Sequence, residues 1–581
     1  MRLAPHGLPS RALCAVAAAF LLCAAGLWIL HQQTKPHYRL SATAAIAAAR
    51  ANDGDRRFLA DHRATSVRVI PLDAKLQRVT FFDGPQVVLD AAVGEHGQVL
   101  ASEEHVAGVP ASGAALANSP WILLLLSGVF LLATTVVPLR RLRNLDALVL
   151  ASFTVTVPLI NARLVGVSVI CAYVALCYLM IRCLWVGLRA RGAHASQSST
   201  PLLSWLCANW EPRRRTTLLR LVVLATMLAF AMITLTSNGY ADVAAASLEG
   251  ATDLLHGVLP YGHVQLALHG DTYPLLNYLL YVPGALWLPV SNAFSDLSGS
   301  LPTTALASLL VGLALYRVAG SRELTTDDDA QRTDRRLRAM LAWFAFPPVL
   351  LAASGGSNDL LLAACLAWML ALRTRAGSSL LLLAMAVWVK LVPLILVAIW
   401  IPYRRRELTR SCIAAVALSV ALTGLLLGVG GTGGVSAMLR ALAFQFQRGS
   451  FFAPWYTFEL QWLQPLAQAG VIAALLASIL CLRAEPSAQR DLVRLSAIAG
   501  ALLLGVQLAA NYWTWSYLPW VFPFLAVALL MGENQETTAD STTPSEKGRL
   551  LTAHALRPQR GAQQRAQETT VSALERRVKT S

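Results

Sequence analysis

The chain of 581 residues is 56% hydrophobic and 14% charged, against about 25% charged in a soluble domain, which excludes an ordinary soluble enzyme. Its formal net charge of +16 does not mark a nucleic-acid binder: the basic clusters are short and stand at the ends of apolar runs, where Lys and Arg label cytoplasmic loops of membrane proteins. The nine cysteines lie in or beside apolar runs, or in a loop placed in the cytoplasm. They offer no disulfide framework and no CxxC metal pair, and read as small buried hydrophobes.

Residues 12–30, ALCAVAAAFLLCAAGLWIL, follow Arg2 and Arg11 and form the first apolar run. The run is long for a signal peptide and no clear A-x-A site follows it, so 1–30 is read as an uncleaved anchor with the N-terminus inside. Residues 31–118 are polar. SATAAIAAARAN has a Ser41 cap signal and helix-forming alanines. TSVRVIPL and KLQRVTFFDGPQVVLDAAVGEHGQVLA then alternate as strands, with turns at 83–84 and 94–97. A helix followed by a small antiparallel sheet, with the hairpin VVLDAAVGEHGQVLAS, resembles a PepSY-like domain, whose expected role is interaction with an envelope partner or regulation.

Residues 119–188 read as a three-helix module with spans at 120–137, 146–161 and 164–188. Arg140, Arg141 and Arg143 put the end of the first span in the cytoplasm. Arg163 at a turn and Arg182 near the inner end of a span read as snorkelling side chains. The Ser-, Pro- and Arg-rich segment 189–217 is a cytoplasmic linker. From 218 to 531 the apolar runs fall at 218–236, 304–318, 339–353, 360–372, 379–402, 411–429, 465–482, 492–510 and 517–531. The run 379–402, interrupted by Lys390 and Pro393, is expected to be an outward and an inward helix. The run 273–290, rich in Pro, Tyr and Trp, is expected to be re-entrant or interfacial. The polar tail 532–581 reads as disordered in the cytoplasm. The expected fold is thus an all-α polytopic membrane protein of about 14 crossings, in the plasma membrane with both termini inside. A small α+β extracytoplasmic domain stands near its N-terminus.

Polar and aromatic content converges on one membrane face, in loops 237–272, 354–359, 430–464 and 511–516. Asp242 lies just past a span, where a carboxylate is costly unless solvated or used. It reads as a functional acid, or as a cap facing water. Asp271 reads equally as a ligand or as the cap of the helix at 273, and Asn358 and Asp359 as site residues or helix caps. Lys390, inside MAVWVKLVPLI, needs a partner, a cavity or a route to the interface. Arg440 and Arg448 read as functional cations or a solvated face, and Trp513 and Trp515 as site aromatics or interface anchors.

A span with an acid just after it, a helix ending in LLHGVLPYG, and then GDTYPLLNY resemble the family 87 glycosyltransferases of the GT-C superfamily. FPPVLLAASGGSNDLLLAACLAWMLAL, VWVKLVPLILVAIWIPYRRR, FQFQRGSFFAPW and NYWTWSYLPWVFPFLAVALL are similar to further pieces of that family, in the same order, over about 218–531. The resemblance implies transfer of a sugar, most often mannose, from a polyprenyl-phosphate donor to a glycolipid or polysaccharide acceptor at the outer face. It implies Asp242 as general base, Asp271, Tyr273, Asn358 and Asp359 as substrate contacts, and Lys390, Arg440 and Arg448 as phosphate contacts. Trp513 and Trp515 would stack on sugar. The family pattern is often a pair of adjacent acids, whereas here Ala241 precedes Asp242. No metal ligand is assigned, and a divalent cation is left open as a cofactor. No P-loop, GxSxG or HExxH occurs, so the donor itself carries the activation. Two other classes fit less of the sequence. A transporter or flippase of lipid-linked sugars is compatible with Lys390 and the broken run 273–290. A non-catalytic envelope scaffold would use 31–118 as its binding module.

Overall fold

In a computed structural model of the chain, the described residues are 40–531, apart from 72–75, 84–85, 105–111, 162–163, 189–199, 208, 238–241, 265–270, 289–297, 322, 325–328, 402–404, 446–448, 451, 486–487 and 490. The expected anchor 1–30, Arg163, Arg448, the first part of the linker and the tail 532–581 lie outside them.

The small domain is helical and then stranded, as its sequence implies. Helices α1 (Ala42–Ala51) and α2 (Asp53–Asp61) precede β1 (Ser66–Pro71), β2 (Leu76–Asp83), β3 (Gln86–Gly94) and β4 (Val99–Glu104). Ser41 caps α1 by accepting from the Ala44 N–H at 3.2 Å. The strands form one antiparallel sheet in the order β1-β2-β3-β4. Period-2 alternation gives the sheet two different faces. Val79, Phe81, Leu89, Ala91 and Val93 pack against Ala45, Ala49 and Phe58 of the helices. On the other face Arg68, Thr80 and Asp90 stand in one rank across three strands. There Arg78 donates to Asp90, its Nε lying 3.0 Å from Oδ1. Thr80 also donates to Asp90, and both are buried.

Helix α3 (Ser112–Ala117) joins this domain to the membrane helices. A Cβ on Gly113 would collide with the Ile233 carbonyl oxygen and lie 2.6 Å from the Ser237 nitrogen. The bare glycine therefore lets α3 lie directly on the end of the helix that leads to Asp242.

The remaining principal helices are α4 (Pro120–Thr134), α5 (Leu142–Ser152), α6 (Val165–Leu188), α7 (Pro212–Leu235), α8 (Asp242–Leu255), α9 (Leu275–Trp287), α10 (Leu301–Ala319), α11 (Asp329–Phe344), α12 (Pro347–Ser354) and α13 (Asp359–Ala371). They continue with α14 (Ala376–Val389), α15 (Leu394–Trp400), α16 (Arg405–Phe444), α17 (Gln464–Ala484), α18 (Leu492–Ala509) and α19 (Leu518–Leu525). Among the described residues, 7 helices are long and apolar enough to cross a bilayer, and α11 with α12, bent by 52°, makes an eighth candidate. The chain is a helical multi-pass membrane protein. Five shorter apolar helices accompany the spans. At the centre lies α18, with 94% of its apolar window buried, while only 11% of the corresponding window of α16 is buried.

Three expectations change. The second half of 379–402 was expected to be a return crossing. It is the seven-residue α15, about 10 Å long at 1.5 Å per residue and too short to span. The span expected over 411–429 does break, at Gly431 (φ 57, ψ −156), but residues beyond the break, expected as an outer loop, form a second helical stretch that runs to Phe444. Arg182 does not snorkel: its Nε and Nη2 meet Asp146 at 3.0 and 3.1 Å, inside the bundle, and Tyr178 donates to the same carboxylate at 2.8 Å.

Candidate functional site

One end of the bundle gathers most of the polar residues that the sequence places in apolar surroundings. Its scaffold is the loop between α12 and α13. Ser237 Oγ donates to the Ser354 carbonyl at 2.8 Å, Thr304 Oγ1 to Ala353 at 3.1 Å, and Tyr281 OH to Gly356 at 2.9 Å. Gly356 has φ 69, a left-handed conformation that strains any side chain. A Cβ there would also collide with Ser300 Oγ and come within 2.8 Å of Ala244 Cβ. The first turn of α8, which begins at Asp242, is thereby pressed against this loop.

From the loop a chain of buried polar contacts runs across four helices. Asn277 on α9 donates to Ser247 on α8 at 3.1 Å, and Asn358 donates to Asn277 Oδ1 at 2.8 Å. All three side chains are fully buried, and Asn358 Oδ1 has no partner among the described residues. Asp359, the first residue of α13, accepts from Ser357 Oγ at 2.7 Å and from Lys390 Nζ at 2.5 Å. The ammonium lies 5.6 Å from the ring centre of Tyr273 and 5.0 Å from that of Tyr517, within range of both for cation–π attraction. Lys390 is thus a half-buried, paired cation rather than a snorkelling one. Gln507 holds the Tyr517 carbonyl through Nε2 at 3.0 Å and accepts from Trp513 Nε1 at 3.0 Å.

The other expected residues divide. Asp242 is half-buried, and its Oδ1 accepts from the Val243 N–H at 2.8 Å. The Arg78 guanidinium of the small domain lies within electrostatic reach of Asp242 and Tyr512. Burial alone would lower the Arg78 pKa; Asp90, with Asp242 and Tyr512 beyond it, outweighs that and raises it. Asp271 is neither a cap of α9 nor part of the polar chain: Pro274 stands at the helix start, and Asp271 Oδ2 accepts from the Gly262 N–H at 2.9 Å. Trp513 is buried edge-on against Tyr173 and so is neither a platform nor an interface anchor. Trp515 meets Phe452 edge to face at 5.6 Å. Arg440 is exposed on α16, with Nη1 3.4 Å from Ser436 Oγ. Arg448 lies outside the described residues.

Sequence reading missed Ser247, Asn277, Gln507, Tyr517 and Arg78. Asn277 and Gln507 carried a signal, as lone amides in the runs YPLLNYLLY and ALLLGVQLAA; a polar side chain there needs a buried partner.

Beside Lys390, an apolar cleft of about 600 Å³ opens between α14, α15 and α16. Trp388 and Leu394, either side of Lys390 in sequence, line it with Leu383, Val397, Val416 and Val420. Trp388 is fixed there by donating to Ser419 Oγ at 3.1 Å. No three His, Cys, Asp or Glu side chains among the described residues are arranged to hold a metal ion. No family model matches the chain, and neither does any curated protein or solved structure.

Proposed function

We propose that the protein is an inverting GT-C-type glycosyltransferase. It moves a hexose, with mannose favoured, or a pentose from a polyprenyl-phosphate donor to an envelope glycolipid or polysaccharide at the outer membrane face. Fourteen crossings with both termini inside belong to this reading. The observation that carries it is the polar chain Ser247–Asn277–Asn358–Asp359–Lys390, lying beside the start of α8, together with an apolar cleft lined by Trp388 and Leu394, which flank Lys390 in sequence. The cleft suits an isoprenoid tail. An ammonium has three N–H donors, so Lys390 can hold Asp359 and a phosphate oxygen together. The Asp242 carboxylate takes the acceptor hydroxyl's proton. The acceptor oxygen bonds to the anomeric carbon, the bond from that carbon to the phosphate oxygen breaks, and its electron pair leaves with the phosphate next to Lys390.

The test is transfer from polyprenyl-phosphate sugars by the purified full chain in lipid. Loss of a general base lowers turnover by about 10²–10⁴-fold, so Asp242→Asn should fall by that much while keeping its melting temperature. Equal turnover by the two proteins would remove Asp242 from this role. A second reading, movement of a lipid-linked sugar across the bilayer, is favoured by the helix breaks at 345–346 and 390–393 and by the two ion pairs on buried carboxylates, Lys390–Asp359 and Arg182–Asp146. Donor movement in vesicles without glycosidic bond formation would favour it.

A further inference from the structure

The cleft between α14, α15 and α16 has dimensions that limit what can lie in it. On α16 its lining runs from Cys412 to Leu427, about 22 Å at the helical rise. One leaflet supplies about half of the roughly 30 Å hydrocarbon thickness of a bilayer. The cleft is therefore deeper than a phospholipid acyl chain reaches from its own interface. Its volume is about 600 Å³. A chain carbon fills about as much space as a water molecule in the liquid, about 30 Å³, so the cleft holds about 20 carbons. That is room for one chain and too little for the pair on a phospholipid.

The wall is made for hydrocarbon. Ser419 Oγ accepts from Trp388 Nε1 at 3.1 Å and donates to the Ala415 carbonyl at 3.0 Å, so these polar groups are spent within the wall itself. Trp388 and Leu394, on either side of Lys390 in sequence, tie the cleft to the segment that carries the cation. Gly424 also stands in this wall. Glycine in a helix interior is costly against alanine, and a Cβ built on Gly424 meets nothing within 4 Å. No packing contact among the described residues therefore asks for glycine at 424. What its bare backbone preserves is the width of the cleft.

We infer that the cleft binds a single isoprenoid chain and reads about its first four units, with Gly424 as the residue that sets the width. Four five-carbon units supply the roughly 20 carbons that fit, and later units pass out into the bilayer. The inference rests on the polyprenyl-phosphate donor proposed above and adds a selection rule to it. Donors that differ only beyond the fourth unit are equivalent, and shorter ones are not.

The test is binding of polyprenyl phosphates of two, four and eleven units, and of phosphatidic acid, to the full chain in lipid nanodiscs. Native mass spectrometry reads it for wild type, Gly424→Trp and Ala384→Trp, both positions lying in the wall. A single methylene in an apolar pocket is worth about tenfold or more to a ligand arriving from water. Here the chain leaves lipid, which is as apolar as the cleft, so about tenfold is expected for the third and fourth units together. The next seven units stay in lipid and should add nothing. Phosphatidic acid, with the same phosphate monoester on two chains, should bind more weakly than the four-unit compound. Each tryptophan brings ten side-chain atoms into a space for about 20. It should erase the gain from two to four units and leave the two-unit compound bound as in wild type. Should one variant fail to give monodisperse protein, the other is read, and the wild-type series decides by itself. Equal binding of the two- and four-unit compounds, affinity that climbs steadily to eleven units, or an unchanged series in the variants overturns the inference. Sugar transfer is assayed alongside. The expected series without transfer would remove the enzyme and keep the cleft, whereas transfer that ignores tail length would keep the enzyme and remove the selection rule.

Discussion

Replacing Lys390 by methionine removes the cation from a carboxylate that has no exposure. Asp359 would keep Ser357 Oγ at 2.7 Å, a hydrogen bond that does not neutralise it. Breaking one side of a buried pair costs about 3–5 kcal/mol, and the two tyrosine faces at 5.6 and 5.0 Å add about 0.5–2 kcal/mol each where desolvated. Lys390→Met should therefore sit at the upper end of the pair's range. Asp359→Asn leaves an ammonium that still faces both rings and should cost less. Lys390→Met with Asp359→Asn leaves no buried charge, and neutral replacement of such pairs is commonly neutral or stabilising. The double variant should then melt above Lys390→Met, with a coupling energy near 3 kcal/mol. Thermal unfolding of the four proteins in one detergent measures the cycle. Additive losses, with the double variant the least stable of the four, would refute the reasoning. Sugar transfer separates the two roles of the lysine: the double variant should be well folded and inactive.

Gly356→Ala places a side chain at a left-handed φ against Ser300 and Ala244. Strain of about 1–2 kcal/mol and overpacking of about 1–3 kcal/mol should lower the melting temperature and activity together, whereas Ala→Gly changes elsewhere in α13 should spare activity. Arg78→Gln leaves the Asp90 carboxylate buried without its cation, a loss of about 3–5 kcal/mol, visible as early melting of the small domain. Because Arg78 lies within electrostatic range of Asp242, transfer activity should fall, and unchanged activity in the variant would separate the sheet from the site. At Asp253 burial raises the carboxyl's pKa above 3.8, opposed by His263 and His256. A raised folded pKa contributes stability below the unfolded value that is lost as pH rises through the folded one. Asp253→Asn should accordingly match wild type in acid and exceed it in melting temperature near neutrality.

Local structure was legible where local forces decide it. The Ser41 cap, the four strands and the turn at 94–97 follow from residues within a few positions of one another. Lys390 announced itself as a charge in an apolar run, but its partner lies 31 residues away on another helix, and nothing near either residue specifies the pairing. Arg182 failed for the same reason: its counter-ion Asp146 stands 36 residues away on another helix. Arg440 was expected in a loop and instead lies on the helical stretch that follows the break at Gly431. Arg78 was invisible because its relation to Asp242 arises only when two separately patterned segments dock.

Helix α16 forms one wall of the cleft beside Lys390 and has little protein around it. Its neighbours over most of its length are therefore acyl chains, and its lean is set by the thickness of the surrounding bilayer as well as by the sequence. Gly431 divides it into two rods that can lean separately. The width of the cleft should then track membrane composition, and on the proposed reading lipid thickness becomes a control on which donor tails fit.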